Sequence, residues 1–133
     1  MTPVDQQILN NPEQGAVGDC ARAVIASLLD LPYGDVPHFA ALCADTDDFY
    51  TRVQDFCLGH GFIVMYTPTN FTPVGFGSDG ELYHLISGPS PRGSGVYHCV
   101  VGQSGMIHFD PHPSRAGLAG ERSDWTFGFL IRA

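Results

Sequence analysis

The chain changes its period once, at Gly61, and that change limits the fold more than any other feature. Before it, apolar residues recur three and four apart, as on one face of a helix; after it they alternate, as on a half-buried strand. Ala21, Val24, Ile25, Leu28 and Leu29 predict a helix opening at Cys20 and running to about residue 30. Asp19 stands at its N-cap, and Leu31-Pro32 stops it. A short helix is expected over residues 36–43. A third starts at 45 or 46, with Asp47 and Asp48 in its first turn, an apolar stripe of Phe49, Val53, Phe56 and Cys57, and Gly59 or Gly61 at its end. Strands are expected over 62–66, 82–87, 96–101, 106–110 and 125–131, the last with Trp125, Phe127, Phe129 and Ile131 on one face. Residues 67–80 and 111–124 read as long irregular loops, the kind that often line sites. Helices first and antiparallel strands after them describe an α+β domain.

No repeat, low-complexity tract or linker divides the 133 residues, so one domain over 1–133 is expected. Hydrophobic residues make up 44% of the chain and only 15% is charged, which fits a soluble globular protein. The net charge of −8 argues against binding a nucleic-acid backbone, which needs clustered Lys and Arg, and favours a cationic or neutral partner. The start carries no secretion signal and no apolar run is long enough for a membrane span, so a cytoplasmic location and no membrane partner are expected. Cys20, Cys43, Cys57 and Cys99 are scattered and read as free thiols in a reducing compartment. Cys43, Cys57 and Cys99 are assigned to the core, and His38 and His84 to structural roles.

Residues 101–106 read as a tight turn between two strands. A three-residue loop, Gln103-Ser104-Gly105, would pair Gly102 with Met106, Val100 with His108 and His98 with Asp110. His98 and Asp110 then become direct neighbours on one face, and the acid accepts the imidazole Nδ1–H. A loop one residue shorter would spoil that register.

These residues suggest a thiol nucleophile. A helix N-terminus and an adjacent imidazolium both favour a thiolate at Cys20. The Cys20 backbone N–H and the Gln14 side chain would hold an oxyanion, and His98 would serve as base and then acid. Asp19 would oppose the thiolate if it faced the sulfur, and caps the helix if it does not. Asp19 and Arg92 are the expected substrate-binding residues, Arg92 through a substrate carboxylate.

Gln14 followed by Cys20, then a strand His98 and Asp110, resembles the papain-like cysteine peptidase superfamily. The short His98–Asp110 spacing is most similar to compact bacterial and phage members such as bacteriocin-processing peptidase domains. The resemblance implies a papain-like fold, with the catalytic helix packed on an antiparallel sheet, and a cysteine-dependent hydrolase (peptidase, isopeptidase or amidase) needing no cofactor. Its triad would be Cys20, His98 and Asp110, with Gln14 as oxyanion donor and a peptide or protein as substrate. Ala21 departs from papain, where an aromatic often follows the cysteine, and Asp110 stands where papain-type enzymes use asparagine.

Two other readings compete. His98, His108, Asp110 and His112, with or without Cys20, offer donors for a metal-dependent hydrolase. A catalytically inactive papain-fold binding protein, including an acidic inhibitor of a basic partner, is the non-enzymatic alternative.

Overall fold

The computed structural model describes residues 1–69 and 82–133. The expected loop beyond Thr69 lies outside the described residues, as does Asn70-Phe71-Thr72, which spells a glycosylation sequon that a cytoplasmic chain would not use. Helix α1 spans Cys20–Leu28, α2 Phe39–Leu42 and α3 Thr46–Gly59; strands β1 to β5 span Phe62–Tyr66, Tyr83–Pro89, Tyr97–Gln103, Met106–Phe109 and Thr126–Arg132. The strands form one antiparallel sheet in the order β1-β5-β2-β3-β4. The α+β architecture with helices before strands is therefore present. Among the described residues no helix is long and apolar enough to cross a membrane.

Helix α1 is more central than its stripe suggested. Ala23, Val24, Ile25 and Ala26 are all fully buried, so it is enclosed rather than laid on a surface. Burying Val24 and Ile25 alone stabilises the fold by about 3–6 kcal/mol. The helix ends at Leu28, two residues earlier than expected, where Asp30 turns left-handed at φ 54°.

The sheet is covered on both faces because its strands alternate between two cores. Leu85 and Val101 join α1, Val36, Phe39 and Val53 on the helix side. Ile86, Val100, Trp125 and Phe127 form a smaller core on the other side, roofed by Leu118 from the 111–124 loop. The expected common face of the last strand holds for Trp125, Phe127 and Phe129, while Ile131 is exposed at the strand's end.

One local expectation fails. The β3–β4 turn has a two-residue loop, Ser104-Gly105, which pairs Gln103 with Met106 and Gly102 with Ile107. Both loop residues take positive φ, 49° and 86°, as a tight hairpin of this hand demands. A bulge then shifts the ladder so that Val101 pairs with Phe109, and β4 ends there. Buried His84 selects this turn. Its Nδ1–H donates to the Leu85 carbonyl at 3.2 Å, and its Nε2 accepts the Gly105 N–H at 2.9 Å. Gly102 leaves room for that ring, since a Cβ there would stand 2.4 Å from His84 Cε1.

Candidate active site

The extended stretch from Thr2 to Ile8 runs back along α1. The Thr2 N–H donates to Ser27 O, the Val4 N–H to Ser27 Oγ, and the Ile8 N–H to Asp19 Oδ1 at 3.0 Å. This strap ends beside the N-terminus of α1, where the Asp19 N–H donates to Ile8 O. Cys20 is the first residue of the helix and opens onto a cleft of about 970 Å³.

Asp19 is almost fully buried and does not cap its own helix. Its carboxylate instead accepts from the Gln7 and Ile8 backbone N–H groups and from the Tyr33 hydroxyl. Arg22 sits over the Tyr33 ring at 3.8 Å and donates to its hydroxyl oxygen. The carboxylate is thus consumed in tying the strap to the helix. It does not line the cleft, which removes the expectation that it binds substrate.

His98 and Asp110 do meet, by a route the expected register did not supply. Asp110 lies beyond the end of β4, outside the ladder. It reaches His98 because its own turn aims it there: Oδ1 accepts the His112 N–H at 2.9 Å, and Oδ2 accepts the Gly117 N–H at 2.7 Å. The bond to His98 is 2.7 Å and uses Nε2, so the tautomer is the reverse of the expected one. That leaves Nδ1 for Cys20, which lines the cleft beside His98 and raises its titration. Both His98 and Asp110 are buried.

The electrostatics follow from these contacts. The Cys20 thiol is held well below its ordinary value by a hydrogen bond from Cys99, against burial, and then by the hydrogen bond and charge of His98. The helix N-terminus acts in the same direction. Burial opposes charge on His98, but the hydrogen bonds to Asp110 and Cys20 and their charges outweigh it and raise the imidazole to about 9. Burial likewise raises Asp110, but the His98 bond and the two backbone donors more than offset it, leaving the carboxyl below its usual range. These directions favour a thiolate–imidazolium pair held by a carboxylate.

Gln14 is not part of this group. It is exposed on a short 3-10 turn, Pro12–Gln14, inside a small excursion closed by the Asn11–Ala16 bridge, and it does not line the cleft. Gln6 does. It is buried on the strap, donates from its backbone N–H to Pro111 O at 3.1 Å, and lines the cleft alongside Cys20 and His98. Its Nε2 donates one hydrogen to Ile8 O at 2.9 Å, and an amide nitrogen carries a second. Its buried Oε1 has no hydrogen-bond partner, at a cost of about 1–3 kcal/mol. Spacing could not distinguish the two glutamines, because the excursion closed by the Asn11–Ala16 bridge holds Gln14 and lies between Gln6 and Cys20.

Arg115 was missed as well. It donates to the Asp110 carbonyl at 2.6 Å, pairs with Asp5 on the strap at 2.6 Å, and lies 4.8 Å from the Phe109 ring centroid. It fastens the acid's turn to the strap that carries Gln6. Arg92 lines the cleft as expected, exposed, with one nitrogen donating to Ser114 Oγ. Phe49, Tyr50 and Tyr97 also line the cleft, and Tyr97 is 73% exposed.

The four-residue metal set does not gather. His108 is exposed and packs on Tyr83 at 5.3 Å, while His112 faces His98 edge-on at 6.1 Å. Among the described residues no three His, Cys, Asp or Glu side chains converge as metal ligands would. His38 is structural in this geometry: Nε2 contacts Val17 O at 2.9 Å and Nδ1 accepts the Ala41 N–H of α2.

Comparison of the chain with protein-family models, curated proteins and solved structures finds no match among any of them. The site therefore rests on its own geometry.

Proposed function

We propose that this protein is a cysteine-dependent hydrolase of the papain-like type, acting on an amide bond in a peptide or protein. One observation carries the reading. A cysteine at a helix N-terminus lines one cleft with a buried histidine that a buried carboxylate orients, and the charge of that histidine favours the thiolate.

Cys20 is the nucleophile. Its thiolate attacks the carbonyl carbon and forms a tetrahedral oxyanion. The Gln6 Nε2–H left over from Ile8 and the Cys20 backbone N–H are the donors for that oxyanion. His98 Nδ1–H gives its proton to the leaving amine, and neutral His98 then takes a proton from the water that releases the acyl group. Asp110 keeps the Nε2–H pointed inward and stabilises the imidazolium. The aromatic wall of Phe49, Tyr50 and Tyr97 suits an apolar or aromatic side chain beside the scissile bond. Arg92 suits a carboxylate at the other end.

Incubation with a mixed library of blocked peptides, followed by mass spectrometry of new termini, tests the reading. Cleavage by the native chain and none by Cys20→Ala is expected. Absence of turnover from a chain whose Cys20 labels as a thiolate would contradict the hydrolase and favour a binding protein.

A further inference from the structure

The proposed mechanism leaves one nucleophilic group at the cleft without a role. Half-buried Cys99 directly follows His98 on β3, the strand packed against α1, and lines the same cleft as Cys20, close enough for the two thiols to shift one another's titration. Ser87, its cross-strand partner, places Oγ 3.9 Å from the Cys99 sulfur. A hydrolase has no need of a second thiol against its nucleophile. The other two cysteines are differently engaged: Cys57 is fully buried in the helix-side core, and Cys43, which also lines the cleft, donates its thiol to Ala40 O at 3.4 Å.

We propose that Cys99 is a resolving thiol, so that oxidation of Cys20 by a peroxide ends in a reversible Cys20–Cys99 disulfide that switches the site off. This rests on the reading of Cys20 as a thiolate nucleophile, but not on which bond it cleaves. In the first step the Cys20 thiolate attacks one peroxide oxygen and the O–O bond breaks. Cys20 becomes a sulfenic acid, and the departing hydroxide leaves as water with the proton from His98. In the second step neutral His98 takes the Cys99 proton, and the Cys99 thiolate attacks the Cys20 sulfur. The S–O bond breaks and His98 returns the proton to the departing hydroxide. Two thiols lose two electrons to one peroxide, which yields two waters. Cys99 waits in its protonated form, because the hydrogen bond to Cys20 and its own burial hold its thiol well above the ordinary range. The Ser87 hydroxyl is placed to stabilise it once the proton leaves.

The sequence makes the test unambiguous. Its only basic cleavage sites for trypsin are arginines, and Arg22, Arg52 and Arg92 put each cysteine in a different peptide. The full chain is treated with hydrogen peroxide, one equivalent for the disulfide and several equivalents for the sulfinic-acid comparison, then alkylated and digested, with and without prior thiol reductant. The expected product joins residues 1–22 to 93–115 and disappears on reduction. In Cys99→Ser, and likewise in Cys99→Ala, Cys20 should instead advance to sulfinic acid, by about tenfold more than in the native chain. A bridge from Cys20 to Cys43 or Cys57, a bridge between two chains, or equal sulfinic acid with and without Cys99 would overturn the proposal. The readout is mass, so a chain that cleaves no peptide still decides it.

Discussion

Two buried histidines sit on neighbouring strands and end up in opposite states. His98 at one end of the sheet meets a carboxylate and a thiol, and is raised to about 9. His84 at the hairpin end hydrogen-bonds the backbone of Leu85 and Gly105 and packs on Phe127 and Phe129, and burial lowers it, with Arg122 acting in the same direction. The same side chain becomes a charged reactant in one place and a neutral strut in the other. Burial desolvates both; at His98 the Asp110 carboxylate and Cys20 outweigh it, and at His84 Arg122 adds to it. One end of the sheet is thus set up for chemistry and the other for holding a turn.

The largest way to break this contrast is at the reactive end. His98→Asn should return Cys20 toward an ordinary thiol and cut turnover by about 10⁴ or more, read as peptide cleavage. Asp110→Asn keeps the shape but removes the carboxylate, and a loss of about 10²–10⁴ in kcat is expected with a lower upper limb in the pH–rate profile. Gln6→Ala should cost about 10²–10³ in kcat, whereas Gln14→Ala should leave kinetics unchanged. Equal effects of the two glutamine variants would contradict the placement of the oxyanion site.

The smallest effect is expected at the strut. His84→Gln should lower unfolding free energy by about 1–3 kcal/mol in a urea titration and leave Cys20 labelling as it was. It should also flatten the pH dependence of stability. His84 is lowered in the fold from 6.5, so its contribution is present above about pH 6.5 and is lost as the pH falls through that value, where the unfolded chain takes up the proton first. His98 has the opposite sign: its contribution is present below 6.5 and is lost as the pH rises through about 9. The lowered Cys20 thiol offsets it, since the ion pair holds one proton between the two groups.

Much of this was legible in the sequence because it depends on local pattern. The switch of period at Gly61 located the helices and all the strands to within a few residues, and Cys20 at a helix start with His98 and Asp110 downstream marked the reactive end. The pairing of His98 with Asp110 was anticipated, but for a register that does not exist. The hairpin turn is chosen by His84 reaching Gly105 from another strand, a contact that turn-residue statistics do not contain. Asp110 finds His98 through its own side-chain turn, which imposes Nε2 rather than Nδ1. Gln6 was invisible because an excursion without hydrophobic periodicity separates it from Cys20, and Gln14 happened to stand at the familiar spacing. Cys99 was assigned to the core and does pack against it on the helix side; that the same face brings it to the cleft of Cys20 depends on where α1 crosses β3, which local pattern does not contain.

The central claim is that Cys20 rests as a thiolate paired with the His98 imidazolium. The direct measurement is the rate at which a mild electrophile labels each cysteine, resolved by peptide, across the pH range. The account predicts labelling confined to Cys20, level through neutral pH and falling only in acid, with turnover declining above about 9 as His98 loses its proton. Labelling that rises along an ordinary thiol curve centred near about 8.5, or that spreads over Cys43 and Cys99, would contradict it.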